Sequence, residues 1–124
     1  IVEIENGKKK ELLVGDLKHT RDFIDVRDTV EALRLISEKH SDSIYNICSG
    51  KRVKLQDILA KLIKLSKVKI AVTEDPNKTR PADDPIIVGN PEKLISLGFK
   101  QKYTIDQTLR DTLDFWRQNI RQGL

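Results

Sequence analysis

Arg80 and Asp83 stand three residues apart in Lys78-Thr79-Arg80-Pro81-Ala82-Asp83-Asp84-Pro85, a stretch stiffened by Pro81 and Pro85 and flanked by apolar segments. A guanidinium is a planar fork that donates two hydrogen bonds to one phosphate, and a carboxylate accepts hydrogen bonds from hydroxyls. The plainer alternative is that Arg80 and Asp83 pair with each other at the surface, a contact that contributes little. Arg21 offers a second fork, and its plainer alternative is a local pair with Asp22 or Asp25. His19 and His40 have no companions at metal-ligand spacing, so no metal is expected. Ser49 sits in a turn with no His and Asp arrangement to make it a nucleophile. Cys48, the single cysteine, reads as packing in a buried strand.

The elements that must position these side chains alternate. Ile1 to Glu5 and Leu12 to Leu17 read as extended, and Phe23 to Asp25 as a short extended piece. Asp25 can cap a helix running to about Lys39, with Val26, Val30, Leu33 and Ile36 as its buried stripe and Asp28 favourable near its N-terminus. Ile44 to Cys48 reads as a strand that ends at the turn Ser49-Gly50. The next helix carries Leu55, Ile58, Leu59, Leu62 and Ile63 on one broad face, and Lys54 at its start is a weak cap. Lys69 to Thr73 alternates as a strand, with Ile70 and Val72 on one face, and Glu74 to Pro85 is a loop.

Asn90-Pro91-Glu92 starts a short helix holding Leu94 and Leu97, and Gly98 stops it. Thr104-Ile105-Asp106-Gln107 has the form of a capping box for a last helix. Ile105, Leu109, Leu113 and Trp116 share one face of that helix, which makes Trp116 a core residue. Strands alternating with helices predict an α/β fold.

A chain of 124 residues has room for one small domain, read as residues 1–124. Apolar residues make up 38% and charged residues 34%, the balance of a polar globular chain rather than a membrane-spanning one. The net charge is +4, interspersed except at Lys8-Lys9-Lys10, which reads as a solvated turn between strands. Nucleic-acid binding finds no support, because aromatics are 5% and no nucleic-acid motif is present. A lone cysteine and the lack of a signal-peptide pattern fit the cytoplasm. The chain starts at Ile1 and contains no Met, as expected of a piece of a longer chain.

Taken in order, the landmarks resemble the C-terminal part of the extended short-chain dehydrogenases/reductases. Gly15-Asp16-Leu17 with Arg21 to Asp28 is similar to that family's GNL…RDFxDVRD block, and Tyr45 to Gly50 to its YNVCSG turn. Arg80-Pro81-Ala82-Asp83 resembles its RPxE/D clamp. Gly89-Asn90-Pro91 through Phe99 is similar to GDxxKLxxLGW, and Thr108 to Arg117 to TLRDTLDYWR. Asp83 stands where Glu is usual in the GDP-sugar branch, with a carboxylate one methylene shorter.

The resemblance implies that Arg21 and Arg80 hold a nucleotide diphosphate from two sides and that Asp83 accepts from the ribose hydroxyls. It implies a GDP-sugar substrate, NAD(P) as cofactor of a full-length homodimeric enzyme, and reduction of a GDP-4-keto-6-deoxy-hexose. The alternatives are 4,6-dehydration, 4-epimerisation, or a non-catalytic interaction module. The family's Gly-rich cofactor turn is not found, and Tyr45 and Tyr103 are followed four residues on by Ser49 and Gln107 rather than by the Lys of a Tyr-x-x-x-Lys pair. The expectation is a substrate-binding portion without its N-terminal Rossmann half, inactive alone and binding no cofactor alone.

Overall fold

The computed structural model describes residues 1–39, 43–78 and 84–121, with the backbone alone for Arg121. Arg80, Asp83 and His40 lie outside these residues. In chain order the elements are α1 (Val2–Glu5), β1 (Leu12–Val14), β2 (Thr20–Arg21), α2 (Val26–Glu38), β3 (Val53–Lys54), α3 (Leu55–Lys64), β4 (Val72–Glu74), α4 (Glu92–Ser96) and α5 (Ile105–Arg121), with a 3₁₀ turn at Pro76–Lys78. The fold is α/β, as expected.

Two small sheets hold the irregular segments. β1 and β4 run parallel, Leu12 opposite Val72 and Val14 opposite Glu74. β2 and β3 run antiparallel, Thr20 opposite Lys54 and Arg21 opposite Val53. Ala32 of α2, Leu94 of α4 and Phe99 form one buried cluster, and Ile24, Leu35, Ile36, Tyr45 and Ile47 pack around it. α5 packs on α1 and α3, where it buries Leu109 and Leu113.

Signals written in local backbone chemistry give the expected elements. The Asp25 carboxylate accepts from the Arg27 N–H at 2.9 Å and caps α2. Asn90 Oδ1 accepts from the Glu92 N–H at 2.9 Å as α4 begins, and Gly98 stops that helix at φ +107°, where a side chain would strain the backbone. Thr104 Oγ1 accepts from the Gln107 N–H at 3.3 Å as α5 begins.

Long-range packing overrides several expectations. Residues 2–5 form a helical turn rather than a strand, burying Val2. Glu5 of this turn is held by Arg117 of α5, a pairing that outweighs the strand preference of Ile and Val. Lys8-Lys9-Lys10 is exposed as expected but leads from a helix into β1, and Lys9 pairs with Glu3 at 2.7 Å. β1 ends at Val14, and the two-residue β2 lies ahead of the expected extended piece at 23–25. β4 starts three residues later than expected, with Ile70 buried and Val72 part-exposed.

Residues 44–48 form no strand, because no other strand lies alongside them among the described residues, and Ile44 is 89% exposed. Of the expected α2 stripe only Ile36 packs on the core. Val26, Val30 and Leu33 are 71%, 60% and 55% exposed, while Asp28 and Ala32 are fully buried. Trp116 is half-exposed rather than core.

Candidate functional site

Residues 75–78 and 84–89, which precede and follow the stretch with Arg80 and Asp83, are each fastened to the rest of the fold. On the incoming side, Asp75 N–H donates to Val14 O at 2.8 Å, continuing the β1–β4 ladder. Asp75 then closes a turn, its Oδ1 accepting from Asn77 N–H at 3.0 Å. Lys78 Nζ reaches back to Leu13 O at 3.0 Å. A Cβ at Gly15 would lie 2.7 Å from Lys78 O, so glycine is what lets the two backbones approach.

On the outgoing side, residues 84–89 lie along β2. Thr20 N–H donates to Pro85 O at 2.8 Å, and Ile87 N–H donates to Thr20 O at 3.0 Å. Arg21 Nη1 donates to Asp84 O and to Thr20 O, each at 2.9 Å. Asp22 takes up the end of the segment: Oδ2 accepts from Gly89 N–H at 3.3 Å and from Gly50 N–H at 2.9 Å. Its Oδ1 accepts from Ser49 N–H at 2.7 Å and from Ser49 Oγ at 2.6 Å. Arg21 therefore holds the backbone at Asp84, and Arg80 and Asp83 themselves are outside the described residues.

The start of α3 is held by backbone. α3 has no side-chain cap at Lys54, as its residue type predicted. Its first amides are satisfied instead by the irregular segment that leads into β2, Leu55 N–H donating to His19 O at 3.0 Å and Gln56 N–H to Leu17 O at 3.2 Å. His19 Nδ1 lies 3.9 Å from Asp16 Oδ2. Below, Gly89 fits against Cys48, whose Sγ would be 2.5 Å from an added Cβ, and burial pushes the Cys48 thiol pKa up.

α2 is clamped to the last helix behind this site. Asp25 accepts from Arg27 Nε and Nη2, each at 2.8 Å, and from Thr108 Oγ1 at 2.6 Å. The Arg27 guanidinium holds the Asp25 carboxyl well below the usual carboxylate range, against the opposing effect of burial. Arg27 also reaches Asp111 at 2.7 Å and lies 3.7 Å over the Tyr103 ring. Asp28 accepts from the Lys102 and Tyr103 N–H groups at 2.9 and 3.1 Å, so it pins a loop besides facing the helix dipole.

Sequence reasoning had Asp25 as a cap but missed Asp22 and Asp28 as anchors. The run of acids in Arg21 to Asp28 was the available signal; their partners lie far along the chain. Among the described residues no group of three His, Cys, Asp or Glu could hold a metal ion, and no helix is long and apolar enough to cross a membrane.

Comparison with known proteins follows the same outline. The model of the family described as GDP-mannose 4,6 dehydratase matches residues 1–112. The chain is 34% identical over 113 residues to GDP-6-deoxy-D-mannose reductase of Pseudomonas aeruginosa, covering 90% of this chain and 37% of that protein. It is 31% identical over 99 residues to GDP-6-deoxy-D-talose 4-dehydrogenase of Aggregatibacter actinomycetemcomitans, covering 78% of this chain and 34% of that one. The fold superposes with TM-score 0.85 and 28% identity on RMD from Pseudomonas aeruginosa solved with NADPH, covering 95% of this chain and 40% of that one. The chain thus spans about two-fifths of the length of that solved relative.

A dinucleotide pyrophosphate does not fit the described residues. It needs a glycine-rich turn from a strand into a helix N-terminus. Here β1 leads through Gly15 into an irregular segment, and the space a Cβ would take at Gly15 is filled by the Lys78 carbonyl.

Proposed function

The chain belongs to the GDP-mannose 4,6 dehydratase family, within the extended short-chain dehydrogenases/reductases, and on that premise we propose that it is the substrate-binding portion of a longer NAD(P)-dependent enzyme. The reaction of that enzyme is reduction of a GDP-4-keto-6-deoxy-hexose. The observation that carries the reading is the pair of anchors around residues 79–83, fastened to β1 at Lys78 and to β2 at Asp84. A clamp for a remote nucleotide must be held still, because orientation of the reacting sugar is set from that end. Arg21 and Arg80 hold the diphosphate and Asp83 the ribose in this reading.

The cofactor and the hydride-transfer residues belong to a second half of the enzyme, which works as a homodimer. The exposed stripe Val26, Val30 and Leu33 supports a covering body, since three apolar side chains on one helix face gain by being packed against another surface. In the complete gene product, Arg80→Ala should lower kcat/KM for the GDP-sugar by roughly 30-fold to several thousand-fold, the cost of truncating a charge partner worth about 2–5 kcal/mol. An unchanged kcat/KM in steady-state assays removes Arg80 from the site. The family description itself favours 4,6-dehydration as the second reading. Reduction consumes NAD(P)H stoichiometrically whereas dehydration regenerates its cofactor, so cofactor absorbance during turnover separates them.

A further inference from the structure

Residues 44–48 carry the alternation of a β-strand without its ladder. Tyr45 and Ile47 pack on the cluster of Ala32, Leu94 and Phe99, while Asn46 is exposed and Ile44 is 89% exposed. Successive residues of a pleated strand point to opposite faces in this way. Two side-chain bonds tie the segment to the neighbourhood of α4: Lys93 Nζ donates to Ile44 O at 2.8 Å, and Asn46 Nδ2 donates to Asn90 O at 3.5 Å. The backbone N–H groups of Asn46, Ile47 and Cys48 donate to no acceptor among the described residues, although Ile47 is half-buried and Cys48 is buried. Folded chains leave few such donors unused, and a row of them is what the edge of a sheet presents.

Helix α2 is bare beside the same cluster. It packs there through Ala32, Leu35 and Ile36, and it shows Val26, Val30 and Leu33 to solvent. Leu33 is three residues from Ile36, about 60° round the helix, so the covered and bare rows adjoin. A helix about 10 Å across spans about two strands set about 4.8 Å apart. Beside α2 the described residues supply 44–48 and no strand paired to it.

We propose that 44–48 is a sheet edge completed by a strand from the part of the longer chain outside these 124 residues, and that apolar side chains of this strand cover Val26, Val30 and Leu33. The chain outside is long enough to supply it, since the solved relative is covered over 40% of its length. The occupant is extended rather than helical: a strand offers carbonyls at the spacing of the 46–48 N–H groups, whereas a helix keeps its carbonyls for its own amides. The proposal rests on the reading of this chain as a portion of a longer enzyme and names the element that does the covering.

Residue-resolved hydrogen exchange on the complete gene product tests it. Alternate amides of a strand point to one neighbour, so either Ile47, or Asn46 and Cys48 together, should exchange about a hundredfold or more slower than an open chain. Val30→Asp puts a charge beneath the added strand and should speed those protected amides about tenfold or more. Arg34→Gln changes the outer face of α2, where Arg34 pairs with Glu31 and Glu38, and should leave them unchanged. If Val30→Asp does not fold, Val30→Thr takes its place, with exchange expected to rise about threefold or more.

The proposal is overturned if none of the three amides is slowed a hundredfold, or if Val30→Asp and Arg34→Gln act alike on them. Protection that vanishes on dilution assigns the edge to a second copy of the chain and overturns it too. None of these readouts involves turnover. A gene product that reduces no nucleotide sugar fails the substrate reading alone, and open amides at 46–48 in an enzyme that does turn over fail the strand alone.

Discussion

Single side chains tie distant parts of this chain together, and the pair Glu5 and Arg117 shows how. Arg117 donates from Nε at 2.9 Å and from Nη2 at 2.7 Å, and Lys67 N–H adds a third bond at 2.9 Å. The Glu5 side chain is 6% exposed. Arg117 holds its carboxyl down to about 2 from an ordinary 4.5, with burial pulling the other way. A depressed carboxylate contributes stability that is fully present above its unfolded value and is lost as the pH falls through its folded value. Stability should therefore decline as the pH falls from about 4.5 towards 2, with Asp25 declining in the same direction for the same cause. Glu5→Gln should cost about 2 kcal/mol at neutral pH and flatten that acid limb, as read from denaturant melts across pH. A melt that keeps its acid limb in the variant assigns it to other groups.

Elements in this chain are held by partners that propensity does not name. α2 begins where Asp25 says it should, but its first turn also buries Asp28 to receive two amides of the 102–103 loop. Asp28→Ala leaves both amides without an acceptor in a buried place, and should cost about 2–4 kcal/mol, measured as a shift of the denaturation midpoint at constant slope. A cost under about 0.5 kcal/mol would mean that water replaces the carboxylate. α3 illustrates the reverse case. Lys54 is a poor cap, as its type predicts, yet the helix starts there because the carbonyls of Leu17 and His19, in the segment ahead of β2, take its first amides. The local weakness was legible; its tertiary remedy was not, since Leu17 and His19 are far away in sequence.

Across the described residues an apolar cluster is built on Ala32, Leu94 and Phe99, α5 buries Leu109 and Leu113, and an apolar stripe on α2 is left exposed. Under the proposed function that stripe is covered by the rest of the enzyme. Val30→Asp should then change the melting of this 124-residue chain little, because the position is already wet. The same change in the complete gene product should cost about 1–3 kcal/mol, since it puts a charge into a covered face. Paired thermal melts of the two forms check this, and an equal effect in both removes the covering body from that face. Helix α2 has apolar residues at helical spacing on more than one face, so periodicity alone could not say which face is buried.

The Asp25 and Thr104 caps and the Gly98 stop were determined by the sequence alone, because each depends on hydrogen bonds and φ angles within a few residues. The Arg80-Pro81-Ala82-Asp83 motif was likewise visible as chemistry in the chain itself. Tertiary structure decided what needs a distant partner. It made residues 2–5 a helical turn against α5, left 44–48 without a ladder, left Val26, Val30 and Leu33 of the α2 stripe exposed and half-exposed Trp116. It also made Asp22 the junction of three segments that the sequence spreads from position 22 to position 89. A strand, a buried face and a multi-donor carboxylate are each defined by what lies opposite, and only the folded chain brings the opposite side near.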